Sequence, residues 1–164
     1  MNPQEQFIHH YKEMSRIAAK QGWGDCHGQS RGKEICSAIH HGHQLAPRGG
    51  GADAFTNDGE AVEYKSTQDP RIQGTYNGIS VQPTWEEQER YLREEKLGGI
   101  PHHYIDRFEN GAIVESYYLT GQQVLEVLLP KLEKKFHKLD TMKDPRLGAN
   151  LSNREILQYG EKVI

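Results

Sequence analysis

The chain contains only two cysteines, Cys26 and Cys36, among its 164 residues. A lone disulfide is not needed in a domain of this size, so both are expected to be free thiols. Long apolar runs are also missing. No stretch approaches the ~18 apolar residues of a spanning helix, and the opening MNPQEQFIHHYKEMSR has no apolar core behind a basic start. Neither a membrane span nor a secretory leader is therefore expected, and a cytoplasmic location follows by default. The nucleotide-binding patterns G-x-x-x-x-G-K-[ST] and G-x-G-x-x-G do not occur. Excess positive charge is lacking too: a net charge of -3 argues against binding nucleic acid along the whole surface, although a concave site stays open. There is no internal repeat or low-complexity tract.

What is present fits one globular domain over residues 1–164, with 35% hydrophobic and 26% charged residues. Nine histidines stand out, with His40, His41 and His43 close to Cys36. Their spacing matches no paired Cys/His pattern of structural zinc, so no zinc site is assigned. Charge is uneven. Lys131 to Arg146 carries six basic residues against three acidic, and Trp85 to Lys96 five acidic against three basic. Taken alone, each run reads as a solvated helix face.

Helix starts are marked by capping boxes. Asn2 with Glu5, and Pro3 at the first helical position, opens a helix whose Phe7, Ile8, Tyr11, Met14 and Ile17 recur at helical spacing until Gly22. That stripe is either core or an interface with a second copy. Thr84 with Glu87 opens a charged helix stopping near Gly98-Gly99, and Thr120 with Gln123 opens another that Pro130 should kink or divide. Around 102–108 and 112–119, aromatic and β-branched residues flanking Glu109-Asn110-Gly111 predict a hairpin. A second hairpin is predicted to join 52–56 with 60–67 through Asn57-Asp58-Gly59. Strands between helices predict an α/β fold, a mixed central sheet flanked by helices.

The second hairpin concentrates chemistry. With Gly59 left-handed in a three-residue loop, Asp53 would pair with Glu63, and Lys65 would share their face by the period of two. Two opposed carboxylates repel unless a cation lies between them, and Mg²⁺ takes one or two carboxylates together with waters and phosphate oxygens. A nearby lysine can then orient or deprotonate the attacking water, which is what phosphodiester hydrolysis requires. On its own, Asp followed ten residues later by Glu-x-Lys is a loose pattern that an edge strand beside a turn also produces. Context adds Arg48 and the glycines 49–51 immediately before Asp53, where backbone can approach a bulky partner.

These residues resemble the PvuII-like type II restriction endonucleases of the PD-(D/E)xK superfamily. The resemblance runs from Gly32-Lys33 through APRGGGADAFTNDGEAVEYKS, without a gap as far as Lys65-Ser66. It continues in IVESYYLTGQQVLEVLLPKLEKKF and REILQYGEKVI, and so covers most of the chain after residue 20. It implies a restriction-endonuclease-like fold and a homodimer joined through the helix at 2–21. It further implies Mg²⁺-dependent cleavage of both strands of double-stranded DNA at a short palindrome, with Asp53 and Glu63 holding metal and Lys65 assisting the attacking water. The chain departs from the family in its base-reading segments, which here read Gln73 to Ser80 and Gly148-Ala149-Asn150. Asn and Gln can pair with adenine and Arg with guanine, so Asn77, Gln82 and Asn150 are candidate base readers. Tyr76, Ser80, Arg48 and Gln29 complete the candidate DNA-binding set, Gln29 at a family position near the minor groove. Each of these could instead be a turn or cap residue. A structure-selective nuclease of the junction-resolvase kind and a non-catalytic DNA-binding module are the competing expectations.

Overall fold

A computed structural model describes residues 1–141 and 143–164. The chain forms two compact units, Met1–Gly59 and Glu60–Ile164.

The first unit opens with α1 (Pro3–Lys20), started by the expected box in which Asn2 and Glu5 each bond the other's backbone. α2 (Arg31–His41) ends on left-handed Gly42. The short strands β1 (Gln44–Leu45) and β2 (Ala54–Phe55) pair antiparallel around the loop 46–53. A small core gathers Ala18, Cys26 and Ile35, with Trp23 and Leu45 against it. His27 stacks on Tyr11 with ring centroids 3.5 Å apart and ties α1 to the turn before α2. Of the helix's apolar stripe, Phe7 (70%), Ile8 (53%), Tyr11, Met14 and Ile17 are all exposed. Both cysteines are free, Cys26 buried and Cys36 exposed.

The second unit bears out the α/β expectation. β3 (Ala61–Thr67) runs parallel to β5 (His102–Glu109), β5 pairs antiparallel with β6 (Ala112–Thr120), and β6 with β8 (Glu161–Lys162). A two-stranded ribbon of β4 (Gly74–Ile79) and β7 (Leu147–Leu151) forms separately. The crossover from β3 to β5 carries β4 and α3 (Trp85–Tyr91), which begins at the Thr84 box and passes into a π-helical turn, Leu92–Lys96. α4 (Gly121–Phe136) begins at the Thr120 box. It buries Val124, Leu125, Leu128 and Leu132 in a core shared with Ile105, Leu119, Leu147 and Leu151, each such side chain contributing about 1.5–3 kcal/mol. That burial on both sides of Pro130 outweighs a proline cost of about 3 kcal/mol, and the helix continues through Pro130 undivided. α5 (Asn153–Tyr159) starts at a fourth capping box, Ser152 with Glu155.

Candidate active site

In the first unit, Asp53 follows a glycine loop. The Ala46 amide donates to the Asp53 carbonyl at 2.9 Å, extending the β1–β2 pairing by one step and leaving 47–52 as the loop. This loop and the start of α2 enclose a pocket of about 290 Å³ lined by Asp53, Arg48, Gln29, Arg31, Glu34 and the glycines 49 and 50 among others. Three expected site residues, Asp53, Arg48 and Gln29, thus share one cavity, with Asp53 half-buried and the other two exposed. Gln29 holds a left-handed backbone, φ 47°. Arg31 and Glu34 were not foreseen. Arg31 is 5% exposed, and its guanidinium donates to the carbonyls of Trp23 and Ala46, each at 2.8 Å, and to Glu34 at 3.2 Å. A buried arginine held this way fixes the pocket wall. Its sequence signal was the i,i+3 placement of Glu34 at the start of a helix.

In the second unit, Glu63 and Lys65 stand on one face of β3, as the period of two requires, while Val62 and Tyr64 are buried on the other. Lys65 Nζ lies 2.5 Å from Glu63 Oε1. Parallel pairing sets Glu63 opposite His103 and Lys65 opposite Ile105. β4 passes close over this face at Gly74: a Cβ there would come within 3.1 Å of Ile105 Cδ1 and 3.6 Å of the Lys65 Cβ, so a larger residue would press on the Ile105 side chain. Two residues on, the Tyr76 ring lies under the Lys65 ammonium, 4.9 Å from Nζ to centroid. Tyr76 is buried, and its hydroxyl is 3.0 Å from His103 Nδ1. It therefore forms part of the floor beneath Lys65, which differs from the groove contact expected of it, because the inward-facing positions of β4 are the ones the core takes up.

His103 has no exposed surface. Its Nε2 faces the carbonyls of Leu97 and Ile100 at 3.1 and 3.0 Å. Carbonyls only accept, so Nε2 carries the proton and donates, and Nδ1 accepts from the Tyr76 hydroxyl. Burial pulls the His103 pKa down to about 4, with Glu63 opposing and Lys65 adding to the effect, so the ring is neutral at pH 7.

The other candidate DNA contacts fall on the outer side of the ribbon and on the segment after it. Asn77 and Asn150 are exposed there, alternating with inward Tyr76, Ala149 and Leu151. Both line a groove of about 480 Å³ with Lys131, Lys134, Lys135 and Lys138. Lys131 donates to the Asn150 carbonyl and to Glu155, each at 2.7 Å, and Lys135 donates to the Gly148 carbonyl. Among the described residues, Lys134 and Lys138 make no ion pair. Ser80 and Gln82 are held by Gln88, which is fully buried, accepts from the Gln82 amide at 2.7 Å and donates to the Ser80 carbonyl at 3.1 Å. Gln88 was missed because a polar residue in a charged helix reads as solvated.

No protein-family model matches the chain, and no curated protein matches its sequence. Among the described residues, no helix is long and apolar enough to cross a membrane.

Proposed function

We propose that this chain is a Mg²⁺-dependent endonuclease for double-stranded DNA, acting as a homodimer in the manner of type II restriction endonucleases. The observation that carries the reading is the Glu63–Lys65 pair, a carboxylate and an ammonium 2.5 Å apart on one strand face, with the ammonium seated on an aromatic ring. Asp53 joins them on the sequence pattern and the family resemblance. Its neighbours Arg48 and Gln29 support this by lining the cavity it opens into.

Among the described residues, no group of three or more His, Cys, Asp or Glu side chains is arranged to hold a metal ion. Magnesium does not need one: it takes one or two carboxylates and completes its shell with waters and phosphate oxygens. Asp53 and Glu63 would hold the ion, which when bound lowers the pKa of water and offsets charge on the phosphate. Glu63, about 9% exposed, holds its carboxylate in a fixed position from which it anchors the Lys65 ammonium. Lys65, beside the scissile phosphate, would orient the attacking water and offset the charge that develops on the phosphoryl oxygens.

A double-stranded substrate is favoured by the β4–β7 ribbon, because the major groove admits a two-stranded ribbon and distinguishes all four base pairs. Asn77 and Asn150 project from its outer side and are suited to adenine, while the four lysines beside them suit phosphates. The uncovered apolar stripe of α1 supports the dimer, since contiguous exposed apolar surface of this kind marks an interface.

The test is incubation of plasmid DNA with the purified chain and MgCl₂, followed by sequencing of the ends. Discrete fragments with a common end sequence are expected. Fragments of random length would remove site specificity, an intact plain duplex with a cleaved four-way junction would point to a resolvase, and binding without any cleavage would leave only a DNA-binding module.

A further inference from the structure

His103 is a fully buried, titratable side chain that the catalytic reading does not use, and Tyr76 is its partner across 27 positions of sequence. We infer that His103 and Tyr76 are positioning residues that fix the Lys65 ammonium. The inference rests on the nuclease reading for its consequence, but its geometry stands independently.

The two carbonyls that follow the π-helical turn begin the chain of constraint. Leu97 and Ile100 both present oxygen to His103 Nε2, which fixes the tautomer and the ring plane together. Nδ1 is then left as an acceptor, and the Tyr76 hydroxyl meets it as a donor at 3.0 Å. With its hydroxyl held at one end and its backbone in β4 at the other, the long axis of the Tyr76 side chain is fixed at both ends, so the ring cannot swing out from beneath Lys65 without losing that bond. The ring is thereby kept under Lys65 Nζ. A cation over an aromatic face is attracted by the ring, and more so as it is desolvated. That attraction favours the Lys65 rotamers that seat Nζ on the ring over the others open to a flexible four-carbon stem. Glu63 then defines the remaining coordinate of the ammonium from the strand side.

The histidine matters because a purely apolar residue at 103 would fill the space without accepting the hydroxyl. Packing alone would be satisfied by such a residue, whereas the anchoring of the ring beneath Lys65 would not. Glycine at 74 belongs to the same arrangement, because it lets β4 descend far enough for the Tyr76 ring to reach beneath Lys65.

Two readouts test the inference. In the full-length chain labelled with ¹³C-lysine and kept metal-free, the ε-methylene protons of Lys65 should lie upfield of the other lysines through the ring current of Tyr76. The signal is identified by its disappearance in Lys65→Arg. It should return to the bulk position in Tyr76→Leu, and should move part of the way in Tyr76→Phe, which keeps the ring, its volume and the fold but removes the hydroxyl that His103 holds. A Lys65 signal that stays in place in Tyr76→Phe overturns the inference. In cleavage assays, Tyr76→Phe should lower kcat between about 10- and 100-fold with KM unchanged, as expected of a displaced catalytic group. A wild-type kcat in Tyr76→Phe also overturns it. If the wild-type chain does not cleave DNA, the nuclease reading fails, while the Lys65 spectrum still decides whether His103 and Tyr76 hold the ammonium.

Discussion

Glu63 stands directly opposite His103 in the parallel pairing of β3 with β5, so an acidic strand position and a fully buried imidazole share one face of the sheet. The carboxylate favours the imidazolium, yet burial overrides it and holds the ring neutral with a pKa near 4. This juxtaposition makes the stability of the second unit sensitive to acid.

The sign follows from proton uptake. An unfolded histidine titrates near 6.5 and the folded one near 4, so between these values the unfolded chain binds more protons and stability rises with pH. The contribution is fully present above about pH 6.5 and is lost as pH falls toward 4, on the order of 3 kcal/mol at the limit. Urea melts in metal-free buffer at pH 7 and pH 5 should show a lower midpoint at pH 5. The His103→Leu variant should show a smaller drop between the two. Equal drops would contradict the neutral buried ring.

Replacing any of Asp53, Glu63 or Lys65 by alanine should lower cleavage of duplex DNA by at least about 100-fold, the scale of losing a charge-stabilising group. Gel-shift affinity should stay within a few-fold of wild type. Retained cleavage by Asp53→Ala would remove Asp53 from the site.

The lysine groove predicts a salt dependence. Each phosphate contact adds about 0.9 to the slope of log affinity against log salt. The double variant Lys134→Gln/Lys138→Gln, which alters two exposed side chains without an ion pair among the described residues, should therefore reduce that slope by about 2. Fluorescence anisotropy with a short duplex at several salt concentrations measures it. The same substitution of Lys12 and Lys20 on α1 should leave the slope alone.

Placing charge on the apolar stripe of α1 should separate the copies. Phe7→Glu with Met14→Glu alters exposed positions and spares the Tyr11–His27 stack, so the monomer fold should persist while sedimentation shifts from dimer to monomer. A wild-type chain that sediments as a monomer throughout the micromolar range would leave the stripe without its assigned partner.

Much of the local structure was legible along the chain because its signals are short-range. Three capping boxes, at Asn2, Thr84 and Thr120, give helix starts to the residue, since each depends on groups only three positions apart. The fourth, Ser152 with Glu155, carries the same signature and was overlooked in a charged, proline-bearing stretch. The aromatic hairpin at β5 and β6 followed from turn chemistry and composition. Left-handed Gly59, φ 83°, was anticipated as well, with its amide bonded to the Thr56 carbonyl. α2 and both strands of the β4–β7 ribbon were not. GTYNGI has two glycines and weak alternation, and its partner strand, Leu147–Leu151, lies far along the chain.

The sequence by itself determined that Glu63 and Lys65 share a strand face, because side chains alternate with a period of two wherever a strand forms. It also determined which residues cap the helices and that α1 carries an apolar stripe. Only the tertiary structure decided that His103 lies against Glu63, that Tyr76 turns inward beneath Lys65 and that Lys134 and Lys138 border the same groove as Asn77 and Asn150. Those relationships join residues on different elements of the fold. They are fixed by the register of a parallel strand pair and by the close approach of β4 at Gly74, neither of which leaves a periodic trace along the chain.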